Sequence, residues 1–470
     1  MMHDDDYEGF DDQSENLGNS VQRFEEMLRN HETYFFDADS LIKITVFYLE
    51  KFDYDKAMEV IKYGQNLHPD NTAFKAKEAY ISHLQGNSEE ALEMIDQLLT
   101  VNPKNEDLYL IKGLIYNALG MFQEGRKTFK DLLSFTEFKE DVYFHVAQTY
   151  LQTFDYHGAI HYFKNCLFEN KKNEVAADEL SECFDRAGRA SEGITYFQAL
   201  IDQDPYNALF WFHLGQMYQC CAEFEKAINA YDYCILIDEN MDDAYIQSGQ
   251  CHMLAGNYEK AIQAFKQSFE YNTPEAFVYD SIAQCYFELG NHEESRSYFK
   301  KAVKSNPSFH SSWYGIGMTL SEEERWYEAI HYLKKAIELN GDISDYWFLL
   351  GDCERELGNL EEADEAYRKV IEMDPDFLDI WYEYPEFLME QNRTDEALQY
   401  AYLAVKYFPN DIAVHLRYII LQYRNGNIKT AYSLLSAAAN NEENIREIIE
   451  EIYPELLNDS NIQKILEQNN

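Results

Sequence analysis

The chain has 470 residues, and its 85 acidic against 39 basic side chains give a formal net charge of −46. A field of that sign repels phosphate backbones and anionic bilayers, so nucleic acid and membrane surfaces are excluded as expected partners. Hydrophobic residues make up 46% of the chain, enough for a continuous core, and 9 prolines with 20 glycines are too few for low-complexity disorder.

Residues 1–18 read as an acidic, flexible tail, with a docked or partner-binding tail as the alternative. The start, MMHDDDYEGF, has neither a basic nor an apolar leader region, so no signal peptide is expected. No run of about 18 apolar residues is present to span a bilayer. The eight cysteines follow no framework spacing; they read as buried thiols in a reducing cytosol, the vicinal pair Cys220-Cys221 as packing residues. A cytoplasmic location is therefore expected. In residues 19–37, Val21, Phe24, Met27 and Leu28 share one helical face and predict a capping helix.

From residue 38 to 445 the chain divides into twelve units of 34 residues without insertion or deletion. Position 8 of the unit is small in nine of them, among them Gly113, Gly215, Gly249 and Gly351. Position 20 is Ala, Gly or Ser in all twelve, from Ala57 to Ala431. Two small residues twelve apart let antiparallel helices approach closely. Position 24 is large and apolar in eleven units and is expected to fill the space toward the next hairpin. Gly-Asn near position 15 (86–87, 256–257, 290–291, 358–359, 426–427) supplies the left-handed turn that closes a first helix. Proline at position 32, as at Pro69, Pro205 and Pro375, ends a second helix. Pro385 is expected to distort the first helix of the eleventh unit. Residues 446–470 lose the frame; Ile449, Ile452, Leu456 and Leu457, then Leu466, predict short C-terminal capping helices.

The pattern resembles the tetratricopeptide repeat. The sixth unit carries Trp211, Leu214, Gly215, Tyr218, Ala227 and Tyr231; the tenth carries Trp347, Leu350, Gly351, Ala363, Tyr367 and Pro375. The resemblance covers 408 residues, 38–445, and implies an all-α fold: an α-solenoid, a right-handed superhelix of about twelve helical hairpins. It further implies that positions 2, 5, 9 and 12 of each first helix line a concave groove. Position 9 gives Gln148, Glu182, Gln216, Gln250 and Gln284, a ladder whose amides can pair with the backbone of an extended peptide. Position 5 adds Phe144, Phe212, Ile246, Tyr314, Phe348 and Tyr382 as seats for apolar or aromatic side chains. The alternative is that both rows pack neighbouring first helices together. Asp345, Asp352, Glu383, Glu386 and Glu390 make the C-terminal end of the stripe acidic, which favours a basic partner. The lysines and asparagines with which the family's chaperone adaptors hold a C-terminal carboxylate are sparse here (Lys43, Lys77, Asn117), so that specificity does not carry over.

No catalytic constellation emerges. Gly120–Thr128 reads GMFQEGRKT, near a phosphate-cradling loop, but both glycines sit at repeat positions and Arg126 interrupts the motif. His157 and His161, with His145 nearby, lack the acid that would complete a metalloprotease signature. The expectation is a non-enzymatic scaffold with no cofactor or metal, binding protein or peptide partners, with self-association open to so long a solenoid. The alternative is a structural or substrate-recruiting subunit of a larger enzyme complex. An RNA-binding repeat is weakened by the charge.

Overall fold

The computed structural model describes residues 8–439 and 444–468, and it divides into two compact units, residues 1–239 and 240–470. Within each unit the chain is a series of helical hairpins. The first unit holds six, whose first helices are Ala38–Glu50, Thr72–Leu84, Glu106–Ala118, Lys139–Leu151, Glu174–Arg186 and Ala208–Cys220. The second unit holds six more, with first helices Asp242–Leu254, Ala276–Glu288, His310–Glu322, Ser344–Glu356, Leu378–Glu390 and Ile412–Arg424. Eleven of these begin at position 1 of the 34-residue frame and the fourth begins one residue early. Every second helix, from Tyr54–Leu67 to Ile428–Ala439, begins at position 17. No helix of the described residues is long and apolar enough to cross a membrane.

Local chemistry explains the phasing. The residue before position 1 is Asp37, Asn71, Asn105, Asn173, Asn207 or Asp411 in six hairpins, and its side chain accepts a backbone N–H of the first turn. Position 15 has positive φ in all twelve hairpins. Seven of these residues are glycines, but Phe52, Phe154, Ala222, Glu324 and Asn392 adopt the same left-handed conformation at φ 55–59°. The turn geometry is thus set by the hairpin, and glycine is the unstrained way to satisfy it. The helix Leu378–Glu390 continues through Pro385, which is buried.

The core repeats with the same period. Position 20 and position 24 are buried in all twelve hairpins. The position-24 ring lies against position 8 of its own hairpin: a Cβ added to Gly113 would stand 2.5 Å from the Phe129 ring, and one added to Gly215 would stand 2.5 Å from Tyr231. In two hairpins its other face carries a residue of the next hairpin, as Phe129 stacks on His145 and Phe197 on His213. Phe129 therefore joins two hairpins across the floor left by Gly113. Position 20 meets the position-8 carbonyl, most directly where Ser295 Oγ donates to Ala283 O at 2.8 Å. Tryptophan at position 4 has a separate task. The indole N–H of Trp211, Trp313, Trp347 and Trp381 donates to the backbone carbonyl six residues earlier, in the turn between hairpins.

The ends are covered by helices outside the frame. A helix spans Glu8–Asn30, so residues 8–18, read from sequence as tail, are helical; Met1–Tyr7 lie outside the described residues. Val21, Phe24 and Met27 are buried, with Phe24 edge-on to Phe36 and Tyr63 at 5.8 Å, while Leu28 is 39% exposed and leaves the expected stripe. At the other end Ile445–Ile452, the 3₁₀ turn Pro454–Asn458 and Ser460–Gln468 bury Ile449, Leu456 and Leu466 against Leu416, Ile420 and Leu435. The Ile452 side chain lies outside the described residues.

Candidate peptide-binding face

In the second unit two cavities open among positions 2, 5, 9, 12 and 13 of the first helices. One, of about 410 Å³, is lined by Met253, Gln284, Phe287, Ser311, Tyr314 and Met318, which come from the seventh, eighth and ninth hairpins. The other, of about 730 Å³, lies between the ninth, tenth and eleventh hairpins; Phe348, Asp352, Arg355 and Tyr382 form part of its wall. A third cavity, of about 430 Å³ in the first unit, includes Trp211, Leu214 and Tyr218, so it falls on positions 4, 7 and 11 instead.

Four of the residues singled out from sequence meet in the first two cavities. Gln284 and Tyr314 line the smaller, and Phe348 and Tyr382 the larger. Gln284 is exposed and donates through Nε2 to Asp280 Oδ2 at 2.6 Å; Asp280 in turn accepts from Ser311 and Ser312 of the next hairpin. Tyr314 is half-buried and stacked on Tyr346 at 4.6 Å. Phe348 lies 5.2 Å from Phe377, and Tyr382 carries the Arg417 guanidinium over its ring at 4.5 Å. Gln250 and Ile246 are half-buried outside both cavities, and Ile246 packs on the Phe265 cluster.

The first-unit members are placed differently. Phe144 packs edge-on to Phe163 at 5.7 Å, and Phe212 is buried against Tyr231 at 5.8 Å. Gln216 Oε1 accepts from Ser181 Oγ at 2.8 Å and from His213 Nδ1 at 2.8 Å. Gln148 is half-buried with its Oε1 3.4 Å from His145 Nδ1, and Glu182 is exposed and paired with Arg186. Each of these five residues thus has a partner from its own or an adjacent hairpin.

Electrostatics differ along the acidic stripe. Glu383 and Glu390 are ion-paired with Arg355, and Glu386 with Arg424 at 3.3 Å and Arg417 at 3.8 Å. Their charge is therefore partly matched within the chain. Asp352 accepts a 2.7 Å hydrogen bond from the Tyr367 hydroxyl, yet burial pushes its carboxyl up to about 6. Sequence spacing missed Glu322, Glu324 and Glu356, while Asp379 stands at position 2 of the stripe; all four line the larger cavity and have no cationic partner among the described residues. Three of them stand at positions 13 and 15, off the 2-5-9-12 stripe, at the ends of first helices.

The remaining sequence candidates resolve locally. Gly120 lies in the turn between two helices, and Arg126 sits over the Tyr150 ring at 3.9 Å and donates to Thr149 O. His157 Nδ1 lies 2.6 Å from the Arg189 guanidinium. Asn117 Nδ2 donates to Thr149 Oγ1 at 2.6 Å. The cysteines are free; Cys220 is exposed rather than buried, while burial pushes the thiols of Cys166, Cys183, Cys234, Cys251, Cys285 and Cys353 up to about 12.

Family models match the chain in the same frame. Tetratricopeptide-repeat models match residues 140–172, 310–343 and 344–377, each beginning at position 1, and a further one matches 388–446. Residues 221–302 match the model described as anaphase-promoting complex, cyclosome, subunit 3. A sequence search of the curated proteins finds no match. Solved structures similar to the chain include YrrB, described as a tetratricopeptide-repeat protein with an unusual peptide-binding site, at 20% identity, 40% of this chain, 96% of that one and a TM-score of 0.35. The Cut9-Hcn1 hetero-tetramer of the anaphase-promoting complex is similar at 13% identity, 88% of this chain, 93% of that one and a TM-score of 0.42. A tetratricopeptide-repeat protein from Parabacteroides merdae is similar at 17% identity, 52% of this chain, 96% of that one and a TM-score of 0.40.

Proposed function

The chain belongs to the tetratricopeptide-repeat family, whose members are protein-interaction scaffolds, and from that premise we propose that it is a non-enzymatic, cytoplasmic scaffold whose first-helix face receives an extended peptide segment. The observation that carries this reading is the smaller cavity. Its wall mixes Phe287, Tyr314 and Met318 with the amide of Gln284, so it offers apolar area and one orienting polar group together. Methionine adapts to irregular side chains, which suits a face that accepts more than one sequence. Within the second unit Gln250 and Ile246 extend the proposed face, with Phe348, Tyr382 and Glu386 at its acidic end; Gln148, Glu182, Gln216, Phe144 and Phe212 hold the corresponding positions of the first unit and would form a separate proposed face there.

The test is affinity capture from native extract with the natural chain and with a Gln284→Arg, Met318→Arg double variant of unchanged circular dichroism. A protein held by the first and lost by the second supports the face. Equal capture by both moves binding elsewhere, and capture of further copies of the bait alone identifies self-association. The match of residues 221–302 to a subunit model of a multiprotein complex favours a second reading, a structural or substrate-recruiting subunit of an enzyme complex. Stoichiometric co-purification with a catalytic subunit, unaffected by the double variant, would support that reading over the first.

A further inference from the structure

We propose that the larger cavity is a pocket for an arginine side chain of the bound segment, an inference that rests on the peptide-face reading and assigns the chemistry of one subsite. The cavity joins two features that a guanidinium needs. Trp326, Phe348 and Tyr382 supply aromatic surface, and Glu322, Glu356 and Asp379 supply carboxylates at the rim with no cationic partner among the described residues. Arg355 is the cation already in the wall, but Glu390 at 2.5 Å and Glu383 at 3.2 Å occupy its guanidinium, so it does not neutralise the rest.

The alternatives fit less well. An apolar side chain would desolvate the rim carboxylates without supplying a countercharge. An anionic group would meet the field of the whole cluster. A lysine would satisfy charge, but its compact ammonium is more strongly hydrated and does not stack. The guanidinium plane covers an aromatic face while its edge N–H groups reach carboxylates. The chain uses that geometry itself, with Arg417 over Tyr382 at 4.5 Å and Arg126 over Tyr150 at 3.9 Å. Asp352, half-buried in the wall and held toward its neutral form, would regain its charge beside an incoming cation.

A chain of net charge −46 attracts any cation weakly, so the test must separate a pocket from a field. Random dodecapeptides displayed on phage are selected against the full chain at 150 mM salt, and enriched sequences are resynthesised with arginine, lysine or citrulline at the shared position. The expected result is enrichment of arginine, a tenfold or greater loss of affinity with citrulline, and a clear loss with lysine. The same loss is expected for the arginine peptide on Glu356→Gln, Asp379→Asn, and on Tyr382→Leu, which leaves net charge unchanged. Circular dichroism confirms that each variant is folded. Enrichment without an arginine excess, equal binding of lysine, or unaltered binding by the variants overturns the pocket and leaves the peptide face standing. No enrichment above an unrelated bait overturns both.

Discussion

Gly113→Ala is a change that helix propensity favours and the structure opposes. The new Cβ would stand 2.5, 2.6 and 2.9 Å from three atoms of the Phe129 ring. Carbon atoms in contact prefer about 3.5–4.0 Å, so the ring must retreat by about 1 Å. It cannot do so freely: Phe129 is fully buried and its far face stacks on His145, with centroids 5.9 Å apart. Overpacking of this kind costs about 1–3 kcal/mol, and removing a mid-helix glycine returns about 1 kcal/mol. The net expectation is a loss of up to about 2 kcal/mol. In a Phe129→Ala background the ring is gone, so the same substitution should stabilise by about 1 kcal/mol, although Phe129→Ala itself costs about 3–5 kcal/mol. The sign should invert, a coupling of about 1–3 kcal/mol between the two positions. Because repeats unfold in parts, the readout is native-state hydrogen exchange of residues 106–151 together with urea transitions of the full chain. If Gly113→Ala shifts stability in the same direction in both backgrounds, the claim that Phe129 sits on the floor left by Gly113 is wrong.

Other consequences follow from the turns and the buried ionisable groups. Phe154→Gly relieves a left-handed, exposed phenylalanine and should raise stability by about 1 kcal/mol, read as a higher urea midpoint. Gly256→Ala, at the same turn position, should lower it by about as much. Burial lowers His213 to about 4; Asp178 lies 3.5 Å from its Nε2, but that carboxylate is 63% exposed and burial outweighs it. The unfolded chain then binds the proton first, so stability should fall as pH drops from about 6.5 toward 4, and His213→Gln should flatten that slope in pH-dependent melts. Asp352 has the opposite sign: with its carboxyl raised to about 6, its contribution is lost as pH rises through that value. Asp352→Asn should therefore stabilise by about 1–3 kcal/mol at pH 7 and by little at pH 4, checked by urea midpoints at both.

The repeat frame was legible because its signals recur at fixed offsets: small residues at 8 and 20, a ring or large aliphatic at 24, glycine at 15. Repetition also made the five non-glycine turns legible in principle, since Phe52 and Glu324 hold the position that Gly86 and Gly358 hold elsewhere. The N-terminal helix was harder. Its first turns, EGFDDQSENL, are acidic and weakly patterned, so composition suggested a tail. On the candidate face, spacing identified Gln284, Tyr314, Phe348 and Tyr382, which do line cavities. It could not assign partners across helices: that Gln216 accepts from Ser181, or that Arg355 takes up Glu383 and Glu390, depends on how one hairpin leans on the next. Glu322 and Glu356 escaped for the same reason, since a helix end enters a neighbouring cavity only through packing.

The central claim is that binding occurs on the first-helix face of the second unit. The most direct measurement is photo-crosslinking in native extract from Phe287→p-benzoylphenylalanine, which lines the smaller cavity, compared with the same probe at Tyr327, an exposed second-helix residue. The account predicts a discrete crosslinked partner from position 287 and none from position 327. A partner captured from 327 and absent from 287 would contradict it.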